Sequence, residues 1–103
     1  MQNSPISRVV VIKNKQGLHA RPALEFVKLA RTFESKVEVV RDGRRVPGNS
    51  VIDLITLGAA EGTQLVIEVE GSDAQQAIEA LAELVENVFP QEDNEQVEPQ
   101  GED

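Results

Sequence analysis

Apolar residues recur along the chain with two alternating periods, and the switches between them mark out the elements. Ile6 to Ile12 is rich in Val and Ile and bounded by Lys13-Asn14-Lys15-Gln16-Gly17, which predicts a strand followed by a loop. From Ala20 to about Phe33 the spacing changes: Ala23, Phe26, Val27, Ala30 and Phe33 stand three or four apart and predict a helix with these residues on the core. Lys36 to Arg41 alternates charged and β-branched residues, Asp42-Gly43 is a hairpin signal, and Arg44 to Val46 is the returning strand. Pro47-Gly48-Asn49 breaks the pattern before a short apolar segment, Val51 to Leu57, that ends at Gly58. Ser50 and Asp53 have the spacing of a capping box, with Ser50 as the cap and Asp53 reaching back to its amide, so a short helix begins there. Gln64 to Glu70 is a strand with Leu65, Ile67 and Val69 on one face. Ser72 and Gln75 repeat the capping-box spacing ahead of a last helix whose apolar face is Ala74, Ala77, Ile78, Leu81, Leu84, Val85 and Val88, with Pro90 as its end.

The predicted order is strand, helix, strand, strand, short helix, strand, helix. Each helix has one apolar face and each strand suits burial on one side, so the economical packing is a two-layer α+β sandwich with its helices on one face of the sheet. The hairpin makes that sheet at least partly antiparallel.

Charge refines the domain plan. The 103 residues carry 10 basic and 18 acidic side chains, a net charge of −8. Six of the acids fall in Pro90 to Asp103, which has no base, so the rest of the chain holds 12 acids against 10 bases. Residues 1–89 therefore read as one nearly balanced domain, and residues 90–103 as an acidic, disordered tail. All ten bases lie between Arg8 and Arg45, which suits an acidic protein partner. With three Phe, no Trp or Tyr and no dense basic cluster, nucleic acid is disfavoured. No cysteine and a single histidine leave no disulfide framework and poor zinc ligands, so no metal or cofactor is expected. No apolar run suits a signal peptide or membrane span, and the reading is a soluble, cytoplasmic protein that works off the membrane.

The candidate chemistry lies in Gly17-Leu18-His19-Ala20-Arg21-Pro22-Ala23. Proline is well tolerated in a first helical turn, so His19 is expected at a helix N-terminus. Free amides and the positive end of the macrodipole favour an anion there. Imidazole is a nucleophile, and a phosphoryl group on its ring would lie beside those amides with the Arg21 guanidinium in reach. A histidine that only caps the helix or fills space is the plainer alternative. Ala20, Leu24, Lys28 and Arg31 form a second stripe on the same helix, either a solvated flank or a docking surface for an acidic partner. In the short helix Leu54 and Leu57 suit the core, while some of Val51, Ile52 and Ile55 are left for the surface.

The histidine motif, followed about thirty residues later by Asn49-Ser50-Val51-Ile52-Asp53-Leu54-Ile55-Thr56-Leu57-Gly58, resembles the histidine-containing phosphocarrier (HPr) family of the bacterial phosphotransferase system, over roughly residues 6 to 89. The resemblance implies an open-faced sandwich, a four-stranded antiparallel sheet covered on one side by three helices. It implies a monomeric carrier that is not itself an enzyme. His19 would take a phosphoryl group on Nδ1 from the phosphohistidine of Enzyme I and pass it to a histidine of a sugar-specific IIA protein, with Arg21 stabilising the phosphate. Ala20, Leu24, Lys28 and Arg31, with the exposed part of Val51, Ile52 and Ile55, would be the docking surface. Ser50 matches the position modified by an ATP-dependent HPr kinase/phosphorylase in many bacteria. Two positions depart from the family pattern: Asp53 stands where a small residue is usual, and Asn49 where a Lys or Arg is common. The acidic tail is a third departure. A regulatory relative without sugar transport and a plain interaction module remain as alternatives, while autonomous hydrolysis lacks a second group spaced as a general base for His19.

Overall fold

The computed structural model describes residues 4–92. Its elements follow the predicted order: β1 (Ile6–Val11), α1 (Ala20–Ala30), β2 (Lys36–Arg41), β3 (Arg44–Pro47), α2 (Val51–Thr56), β4 (Gln64–Glu70) and α3 (Ala74–Glu83), the last continuing into a π-helical turn over Leu84–Val88. The four strands form one sheet in the order β1-β4-β2-β3, antiparallel throughout. The last strand in sequence thus inserts between the first two. The β2–β3 turn needs left-handed backbone at both central positions, and Asp42 (φ 50°) and Gly43 (φ 82°) supply it.

Register explains the two faces. Ile67, Val39 and Val46 stand in one cross-strand row on the inner face, and all three are buried. Val9, Val66, Val40 and Arg45 form a row on the outer face, where Val9 is 56% exposed. Arg45 there bridges Glu38 and Glu68, whose carboxylates hold its guanidinium above its ordinary pKa. On the inner face α3 lies against β1 and β4, α2 against β3, and α1 packs on both α2 and α3. Phe26, Leu54, Leu81, Ile12 and Phe89 fill the space between the layers. Burying each such side chain contributes roughly 1.5–3 kcal/mol.

Three local readings need correction. Helix α1 ends at Ala30, and tighter turns (Thr32 N–H to Leu29 O, Phe33 N–H to Ala30 O) follow, so Phe33 is half-buried at the margin of the core. Asp73, not Ser72, stands at the cap position of α3. Its carboxylate makes no cap bond because it is committed elsewhere, accepting from the amides of Glu34 (2.9 Å) and Ser35 (3.0 Å) and from the Ser35 hydroxyl (2.5 Å). These bonds, the Ser35 hydroxyl foremost, hold Asp73 below the usual carboxylate pKa. Pro90 does not stop the last helix, since residues 89–92 are helical. The π turn accounts for this: the Phe89 amide reaches back five residues to the Leu84 carbonyl, and the widened turn accommodates a proline ring that has no N–H to give. Of the expected acidic tail, residues 93–103 lie outside the described residues.

Candidate functional site

His19 is the N-cap of α1, with extended backbone (φ −89°, ψ −168°), and its carbonyl accepts the Ala23 amide at 3.0 Å. Pro22 occupies the first turn, where an absent N–H leaves nothing unpaired. The turn has no acidic residue and receives no side-chain cap. Its amides therefore remain available to an anion carried by His19. The imidazole is half-buried, and its Nε2 is closed off from solvent without a hydrogen-bond partner. Nδ1 is not among the ring atoms enclosed in this way.

The loop before His19 is built on close contacts. Gly17 adopts φ +74°, and a Cβ there would lie 2.5 Å from the Ala59 carbonyl oxygen. That closeness lets the Leu18 amide donate to the same oxygen at 2.9 Å. The Gly17 carbonyl accepts the His19 amide at 3.0 Å and Nδ2 of buried Asn14 at 2.7 Å. Gln16, Leu18 and His19 then face Gly58, Ala59 and Ala60 across an open depression.

The opposite wall is itself anchored. Arg41 Nη1 donates to the carbonyls of Leu57 (2.6 Å) and Gly58 (3.0 Å), and Arg44 donates to the Thr56 carbonyl (2.8 Å) and hydroxyl (2.9 Å). Two cations thus satisfy the free carbonyls at the C-terminus of α2, where positive charge is favoured. Sequence reasoning missed Asn14, Arg41 and Arg44 as parts of this site. Asn14 carried one local signal, an Asn followed by Gly three residues on, which fits a turn. The arginines carried none.

The predicted docking residues divide. Ala20, Leu24, Lys28 and Arg31 are exposed along α1, with Leu24 at 44%. On α2, Ile52 is 70% and Ile55 38% exposed, while Val51 is half-buried against the core. Because α1 packs on α2, these residues occupy neighbouring helices. Arg31 Nη2 reaches across to the Asn49 carbonyl at 3.2 Å, which brings the far end of the stripe to the Ser50 loop. Arg21 is exposed and pairs with Glu25 at 3.9 Å; no hydrogen bond among the described residues joins it to His19. Ser50 caps α2 as predicted, its hydroxyl accepting the Asp53 amide at 3.2 Å, whereas the return bond from the Asp53 carboxylate is not made among the described residues. Among those residues no His, Cys, Asp and Glu cluster suits a metal ion, and no helix is long and apolar enough to cross a membrane.

The family model for the PTS HPr component phosphorylation site matches residues 6–87. The phosphocarrier protein HPr of Neisseria meningitidis is 38% identical over 84 residues, covering 82% of this chain and 94% of that protein. The HPr-like protein Crh of Halalkalibacterium halodurans is 37% identical over 81 residues, 79% of this chain and 96% of that one. Among solved structures, HPr from Bacillus anthracis superposes with a TM-score of 0.78 at 37% identity, covering 82% of this chain and all of its own. With the family model spanning most of the chain, its four-stranded antiparallel sheet and three helices are those of a phosphocarrier: the chain belongs to the HPr family.

Proposed function

We propose that this chain is a monomeric cytoplasmic phosphocarrier in which His19 accepts a phosphoryl group from phosphorylated Enzyme I and passes it to IIA proteins of sugar uptake systems. The observation that carries the proposal is the place of the His19 ring: half-buried at the uncapped start of α1, with Nε2 enclosed and no acidic residue in the first turn. In-line attack by Nδ1 forms the N–P bond as the bond to the donor histidine breaks. The first-turn amides stabilise the charge on the transferring group, and Arg21 joins them by leaving its exposed pairing with Glu25. The protein supplies no general base of its own for His19, so the donor and acceptor proteins complete the reaction. They dock on Ala20, Leu24, Lys28 and Arg31 with Ile52, Ile55 and the exposed edge of Val51.

Ser50 is the regulatory site in this reading. Phosphate on its hydroxyl would stand at the start of α2, beside Ile52, and about two negative charges there would oppose an acidic partner. Asp53 and Asn49 make the surroundings of Ser50 poor in positive charge, although Arg31 lies within reach of Asn49. Incubation with HPr kinase and ATP should give acid-stable label that Ser50→Ala removes; label retained in that variant would move the site elsewhere.

The test of the main proposal is incubation with Enzyme I and labelled phosphoenolpyruvate. Acid-labile label on the wild type and none on His19→Ala is expected. No label on the wild type, or equal label on both, would overturn it in favour of an interaction module in which His19 is a cap.

A further inference from the structure

We propose that Asn14 is a positioning residue that fixes which imidazole nitrogen of His19 is phosphorylated, an inference that rests on His19 being the phosphoryl acceptor. Asn14 lies in the loop after β1 and is only 1% exposed. Its Nδ2 donates to the Gly17 carbonyl at 2.7 Å, and the Gly17 amide donates back to the Asn14 carbonyl at 3.1 Å. The Gly17 oxygen is the pivot, because it also accepts the His19 amide at 3.0 Å. One carbonyl therefore joins the Asn14 side chain to the histidine backbone, with both of its lone pairs in use.

Packing alone does not explain an amide at this position. Asn14 Oδ1 is buried without a partner, a destabilising feature that an apolar residue of similar volume would avoid. What the amide contributes is the bond from Nδ2. By holding the Gly17 carbonyl it sets the direction of the chain entering His19, and so the direction in which the ring leaves the backbone. That direction places Nε2 in the closed interior. Without the bond, the loop keeps only backbone hydrogen bonds here, Leu18 to Ala59, Gly17 to Asn14 and His19 to Gly17, with no side chain fixing the Gly17 carbonyl, and the ring gains freedom to present Nε2.

Potassium phosphoramidate tests this without any partner protein. The P–N bond of the reagent breaks as the imidazole N–P bond forms, and the imidazole proton leaves with ammonia as ammonium. Phosphorus NMR then distinguishes the two phosphohistidine isomers. Wild type should be labelled on Nδ1. Asn14→Ala, and the isosteric Asn14→Asp that lacks the donor, should lower the Nδ1 to Nε2 ratio about five-fold, the factor corresponding to one net hydrogen bond. Urea unfolding checks that each variant is folded. A folded variant with an unchanged ratio would reduce Asn14 to a structural residue. Wild type labelled on both nitrogens, or Asn14 side-chain amide protons exchanging as fast as exposed ones, would overturn the proposal even if both variants fail to fold. Failure of Enzyme I to label the wild type is a separate result, which bears on the carrier reading alone.

Discussion

Gly17→Ala measures how tightly the histidine loop is held against the 58–60 segment. The backbone at Gly17 is left-handed (φ +74°), which for an L-residue costs about 1–2 kcal/mol. The added Cβ would lie 2.5 Å from the Ala59 carbonyl oxygen and 3.0 Å from the Ala60 Cα. Both are backbone atoms, so the loop must move; overpacking of this kind costs about 1–3 kcal/mol. Since the Ala59 oxygen also accepts the Leu18 amide, the movement strains a further bond worth about 1 kcal/mol. Gly62→Ala is the matched control, because Gly62 has φ +90° and nothing within 4 Å of its Cβ position. Both substitutions stiffen the unfolded chain alike, so their difference isolates the contact with Ala59. Gly17→Ala should be the less stable by about 2 kcal/mol, a urea midpoint lower by about 1 M for a small domain. Equal midpoints would show that Gly17 does not hold the loop against Ala59, and the account of how His19 is positioned would fail with it.

Other substitutions probe the remaining supports. Arg41→Ala leaves the Leu57 and Gly58 carbonyls without their cation and should cost about 1–2 kcal/mol in chemical unfolding, with slower phosphorylation of His19. Leu54→Ala should cost about 2–5 kcal/mol through the cavity it leaves in the core. Ile52→Ala should stay within about 0.5 kcal/mol of wild type while raising the Enzyme I transfer KM, because Ile52 is exposed. For Asp73 the sign follows from its lowered pKa: as pH falls, the unfolded chain takes up the proton first. The stability it contributes is therefore complete above about pH 5 and lost progressively below about pH 4. Thermal unfolding of wild type and Asp73→Ala should converge across that range, and a constant gap would contradict the assignment.

Features legible in the sequence were those whose partners lie a few residues away. Asp42-Gly43 names its own turn, and Ser50 finds its amide three residues on at Asp53. The alternation of Gln64 to Glu70 and the spacing of Ala23, Phe26, Val27 and Ala30 needed only one sheet face and one helix face to be buried. Local spacing misled where a distant partner won. Ser72 and Gln75 looked like a box, but Asp73 took the cap position, with its carboxylate committed to residues 38 and 39 positions away. Pro90 looked like a stop, yet a π turn accommodated it, and Glu86 from that turn accepts the Val11 amide on β1, 75 residues away. In the site, His19 and the helix it caps were readable, while the Asn14 pivot and the arginine clamp on α2 depend on how the loop and hairpin fold back. The exposure of Ile52 beside the burial of Leu54 was partly readable, because a short helix cannot bury every apolar residue it carries.

The central claim is that His19 relays a phosphoryl group, which requires donation as well as acceptance. Protein labelled by Enzyme I, freed of donor and mixed with a purified IIA protein, should lose its acid-labile label as the same label appears on the IIA histidine. Label that stays on His19, or is released only as inorganic phosphate, would contradict the carrier function.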